Sequence, residues 1–187
     1  GTLSLASGNV TTTAGSADVT ALEWSGGNLN GKVKATGSAS FSGGAKSLAG
    51  ELTLDGNTTW TGGSIAATGN AKIKNEAGRT FTANGDGTIT NGGSAIFTNN
   101  GTFTKSAGTT EVQARFDNSG SLNVSGGKLK LTGGGASTGQ VTVGWTLEVG
   151  GIDYAFGGGA FNNSGRVDVQ SGTLAVRPIA GSQAMAV

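Results

Sequence analysis

The sequence has no cysteine and no histidine, and one proline in 187 residues. Without cysteine there are no disulfides, no thiolate nucleophile and no iron–sulfur ligation. Without histidine, imidazole acid–base catalysis, Ser–His triads and His-based zinc sites are excluded. No apolar run approaches the ~18 residues of a membrane span, so no membrane insertion is expected. Charge of one sign is missing too: 12 Lys+Arg stand against 11 Asp+Glu. With no basic patch above background, nucleic acid is not an expected partner. Aliphatic mass is scarce, with Leu, Ile, Val and Phe together making about a fifth of the chain. That approaches the composition of disordered chains, but disorder usually also needs a high net charge. A folded chain of this composition has to economise on core.

What is present is glycine, 37 residues of it. With Thr, Ser and Asn it makes up about half of the sequence. The glycines keep no three-residue period and proline is almost absent, which excludes collagen. Three phrases recur instead. Gly-x-Leu/Val-x-Leu/Val appears at Gly1–Leu5, Gly50–Leu54, Gly120–Val124, Gly127–Leu131, Gly165–Val169 and Gly172–Val176. Its alternation of apolar and polar residues is the period of a strand buried on one face. Ile/Phe-x-Asn appears at Ile73–Asn75, Ile89–Asn91, Phe97–Asn99, Phe116–Asn118 and Phe161–Asn163. Trp-Ser/Thr-Gly-Gly-x-Leu/Ile appears at Trp24–Leu29 and Trp60–Ile65.

Spacing turns the phrases into an architecture. Phe97 to Phe116 is about 19 residues, Phe116 to Phe161 about 45, and Trp24 to Trp60 about 36. Each is one or two units of about 18–23 residues, the length of one solenoid coil. The expected fold is all-β: one β-solenoid domain over residues 1–187 with roughly nine coils, its repeats clearest over 60–176. Residues 178–187, beginning at Pro178, read as a C-terminal tail or cap. Glycine suits the corners because it takes positive φ freely, and a narrow stacked core needs few apolar residues per coil. The opening Gly1-Thr2-Leu3-Ser4-Leu5 is not a signal peptide, so a mature product or an excised segment is expected.

Three stretches carry a resemblance: Phe97–Gly108, Phe116–Gly135 and Phe161–Leu174. They resemble the Asn/Gly/Thr-rich repeats of large bacterial surface and secreted proteins, namely autotransporter passenger domains and adhesins of the filamentous-haemagglutinin type. The resemblance implies a right-handed parallel β-helix, an extracellular or cell-surface location, and a non-enzymatic role as stalk, fibre or adhesin. The alternative is a carbohydrate-binding or carbohydrate-cleaving β-helix, such as a phage tail-fibre domain or a polysaccharide lyase.

No catalytic, cofactor-binding or metal-binding residues emerge, and no cofactor is expected. The acids are scattered along the chain and read as solvated outward charges. Gly85-Asp86-Gly87-Thr88 resembles a calcium turn but is single, where calcium-loaded solenoids repeat the motif, so a plain turn is expected. Gly133-Gly134-Gly135 and Gly157-Gly158-Gly159 lack the Lys-Ser/Thr of a phosphate loop and read as wide corners. Asn99, Asn118 and Asn163 each follow a Phe by two residues, so strand parity turns them inward with it. An inward Asn needs its amide bonded to backbone or to the Asn of a neighbouring coil, which predicts a structural Asn ladder. Trp24, Trp60, Trp145 and Tyr154 are the candidate ligand-stacking aromatics. Exposed, they would stack on a surface glycan; buried, they would fill a core column. Remaining expected partners are neighbouring segments of a longer chain or end-to-end copies of this one, since an unpaired end coil associates.

Overall fold

A computed structural model describes residues 1–177. The proposed tail, Pro178 to Val187, lies outside the described residues. Twenty-five strands, three to ten residues long, follow one another with no helix among the described residues. Every pairing between them is parallel. The chain is a β-solenoid of about nine coils and a single domain.

Each coil lays down three strands, and like strands stack into three faces. Face A runs through Glu51–Leu54, Lys72–Asn75, Ile96–Asn99 and Arg115–Asn118 to Leu174–Arg177. Face B runs from Thr2–Leu5 through Asn57–Trp60, Thr80–Asn84 and Ser121–Val124 to Phe161–Asn163. Face C is a separate nine-stranded sheet from Asn9–Thr11 to Arg166–Val169. The long strand Lys32–Phe41 turns the A–B corner without breaking, pairing with Glu51–Leu54 on one side and Asn57–Trp60 on the other. At about 4.8 Å per coil, nine coils give a rod about 45 Å long.

The period-2 alternation decides what lies inside. Strands such as Glu51–Leu54, Ser121–Val124 and Lys128–Leu131 bury every second residue. Inside, equivalent residues stack in columns: Leu52, Ile73, Phe97 and Phe116 share one column of face A. Phe81 and Phe103 stack on face B with ring centroids 5.2 Å apart, and Phe97 meets Phe103 edge-on at 5.6 Å. Aromatic residues therefore fill the middle of the rod with little chain length. This is how a fifth of aliphatic and Phe residues suffices.

Glycine enters where a neighbouring coil comes too close for a side chain. A Cβ on Gly87 would collide with the Trp60 indole at Cζ2 and Cε2. Gly63 adopts φ +78°, and a Cβ there would strike the Gly43 carbonyl.

Candidate functional site

The anticipated ladder exists through Asn99 and Asn118, with Asn75 as a member and Asn163 outside it. Asn75, Asn99 and Asn118 occupy one inward column of face A, paired in register. Asn75 Nδ2 donates to Asn99 Oδ1 at 2.7 Å, and Asn99 Nδ2 donates to Asn118 Oδ1 at 2.6 Å. Asn118 Nδ2 donates to Ser137 Oγ at 2.7 Å, and that hydroxyl donates to the Gly139 carbonyl. Each amide also reaches the A–B corner: Asn99 Nδ2 bonds the carbonyls of Gly101 and Ser121. All four side chains are buried. The amides point one way, so their dipoles add along the row. The row starts beside Leu54, which leaves the Asn75 Oδ1 without a partner among the described residues.

Asn163 does not belong to it. Phe161–Asn163 lies on face B, where Asn163 pairs with Val143 and its Oδ1 accepts the Gly165 N–H at 3.1 Å. It is half-buried and serves a turn. The two-coil interval assumed between Phe116 and Phe161 overshoots one face: two coils beyond Asn118 lies Phe156. The Ile73-x-Asn75 phrase held the signal for the missing member. Nothing in the sequence marked Ser137.

Three of the four candidate aromatics cannot stack on a ligand. Trp24 and Trp60 stand two coils apart in one inward column, separated by Phe41, and are 0% and 2% exposed. Trp60 Nε1 donates to the Gly62 carbonyl at 2.8 Å. Tyr154 is buried against Phe156, with ring centroids 5.0 Å apart, and burial pushes its hydroxyl pKa well above the usual value. Indole and phenol are large, mostly apolar rings, and the narrow core takes them. Trp145, 57% exposed at the corner between faces B and C, remains open to a ligand.

Sequence reading missed two buried lysines. Lys46 Nζ donates to the carbonyls of Ser42 at 2.7 Å, Gly44 at 2.8 Å and Gly62 at 3.3 Å. Lys105 Nζ donates to the carbonyls of Ala83, Gly85 and Ala107. Each ammonium gathers carbonyls at the B–C corner that the strand ladders leave over. Burial lowers the pKa of both, that of Lys105 to about 8, with Asp86 opposing the shift. Strand parity was the available signal: in Phe103-Thr104-Lys105, Lys105 shares the parity of a buried Phe.

The remaining charges lie outside. On face A, Lys34 and Arg79 both pair with Asp55, at 3.0 and 3.1 Å. On face C, Lys130 lies between Glu111 at 3.9 Å and Glu148 at 3.2 Å, and Lys128 reaches Glu148 at 3.1 Å. Burial raises the Glu148 carboxyl, but the two lysines outweigh it and hold the pKa below the ordinary value. Among the described residues, no three Asp or Glu gather as a metal-binding group. Asp86 instead accepts the Thr109 N–H at 2.6 Å, as a turn residue would.

Face B differs from the other two. Its outward side chains form two columns, one holding Ser38, Asn57, Thr80, Thr102 and Ser121, the other Ser40, Thr59, Thr82, Thr104 and Asn123. Thr59 and Thr82 pair directly, so the second column runs unbroken. Glu23 is the one charged outward side chain along the described length of this face.

The protein is thus a three-faced parallel β-solenoid whose polar interior is structural and whose exterior divides into two charged faces and one neutral one. Comparison with protein-family models, curated proteins and solved structures finds no match to this chain.

Proposed function

We propose that the chain is a non-enzymatic, extracellular segment of a bacterial surface protein, acting as stalk, fibre or adhesin. One observation carries this reading: three parallel stacks run side by side through about nine coils, with two local shifts of register. The sequence is spent on length, and its buried asparagines and lysines are bonded to one another or to main-chain carbonyls. The Asn/Gly/Thr-rich repeats support the same reading. The partners on this reading are neighbouring segments stacked coil on coil, or further copies joined end to end.

The test has two arms. Antibodies raised against the chain should label intact cells of the source bacterium, and small-angle scattering should give a rod. A signal that appears only after lysis overturns the surface assignment. Release of sugars from neutral or acidic polysaccharides by the purified chain overturns the non-enzymatic one. Exposed Trp145 supports a second reading, contact with a surface glycan.

A further inference from the structure

We propose that face B is a binding surface for a neutral, crystalline lattice of hydroxyl-type hydrogen-bonding groups, and that its ligand is ice. The inference stands on the outward chemistry of this one face and does not depend on where the protein is located.

Consider first what the face excludes. Faces A and C carry lysine, arginine and carboxylate pairs along their length. Face B presents Ser38 and Ser40, Thr80 and Thr82, Thr102 and Thr104 at equivalent places in three of its coils. Polyelectrolytes are recognised by opposite charge, and this face has almost none to offer. Sugar rings are held by stacking on aromatic side chains, and the outward columns of face B contain no aromatic residue. A neutral partner that needs neither charge nor stacking remains.

Geometry then narrows the partner. Along the rod, equivalent side chains repeat at the strand spacing of about 4.8 Å; across it, i and i+2 are about 6.7 Å apart. The result is a nearly rectangular net of hydroxyls, with the amides of Asn57 and Asn123 at two of its ten positions. The prism plane of hexagonal ice repeats its oxygens in a rectangular net of similar sides, so water held by successive hydroxyls is already placed as the lattice requires. At Thr59, Thr80, Thr82, Thr102 and Thr104 a methyl group stands beside the hydroxyl, and β-branching holds χ1 in few rotamers, which stiffens this part of the net. Lysine or glutamate would hold its own hydration shell and break the net. The two shifts of register next to this face fall beyond the columns: one follows Ala83 and Lys105, the other lies at the A–B corner near Val19 and Ala21. The array itself stays in step.

Growth of single ice crystals in a nanolitre osmometer tests the proposal. The chain should shape the crystals and hold their growth below the melting point. Thr82→Lys with Thr104→Lys should abolish this, and Ser40→Lys with Thr59→Lys should do the same from neighbouring coils. Thr98→Lys, an outward position on face A, should retain full activity. Circular dichroism melts establish that each variant is folded. Ice growth indistinguishable from that in albumin overturns the proposal, as does equal activity in the face A and face B variants. Co-sedimentation with cellulose or chitin without any effect on ice overturns it in favour of a glycan surface.

Discussion

Asn75 and Asn99 are 24 residues apart in the chain, and their side chains are joined by a 2.7 Å hydrogen bond inside the rod. Between Asn99 and Asn118 the separation is 19 residues. Coils of unequal length thus deliver the same residue to the same place, because the corners absorb the extra chain, both in loops and where the strand Gly87–Gly93 runs on past its pairing with Thr109–Val112.

Removing a middle member of the row breaks the hydrogen bonds to both of its buried neighbours, Asn75 and Asn118 for Asn99, and Asn99 and Ser137 for Asn118. Asn99→Ala and Asn118→Ala should each cost about 1–3 kcal/mol. Asn123→Ala, on the outer side of face B, and Asn163→Ala, at its turn, should each stay within about 0.5 kcal/mol. Urea unfolding midpoints check the contrast. Equal midpoints for Asn118→Ala and Asn163→Ala would remove the row from the account of stability.

Lys105 makes stability depend on alkaline pH. Its folded pKa is about 8 against an ordinary 10.5. Between those values the unfolded chain binds more protons than the folded one, so stability rises with pH. Lys46, shifted in the same direction, adds to the rise. Urea midpoints should climb from about pH 8 to about pH 10.5, and Lys105→Met should flatten the climb while lowering stability at neutral pH, since three carbonyls lose their donor. A wild-type midpoint that falls over this range contradicts the burial of the Lys105 ammonium.

Gly87 is set by Trp60. Gly87→Ala forces its new methyl into the indole and should cost about 1–3 kcal/mol through displaced packing. At Gly144 the nearest atom to a Cβ would be the Val124 carbonyl at 3.5 Å, an ordinary contact. Gly144→Ala should therefore melt within a degree or two of wild type, given that a surface change is worth about 0.5 kcal/mol. Similar losses in both variants would argue against the tight fit.

The three tryptophans should separate by quenching. Iodide should reach Trp145 and leave Trp24 and Trp60 untouched, and Trp145→Phe should remove the quenchable, red-shifted part of the emission. Substantial quenching in Trp145→Phe would mean that the column of Trp24, Phe41 and Trp60 is open to solvent.

The sequence by itself determined the strands, the solenoid and the approximate number of coils. Alternation along Gly50–Leu54 or Gly120–Val124 is local and fixes which side chains point inward. It also placed Trp24 and Trp60 two coils apart. Only the tertiary structure decided which face each phrase joins. Phe-x-Asn marks face A at Phe97 and Phe116 but face B at Phe161, and in Ile89–Asn91 the Asn caps a turn through the N–H groups of Gly93 and Ala95. The physical reason is that parity is a property of one strand, while column membership is a sum over every corner before it. One corner longer or shorter by a few residues moves a phrase to the next face without changing its pattern. The buried lysines follow the same logic: parity turned Lys105 inward, but only the packed B–C corner supplied the carbonyls that let an ammonium stay there.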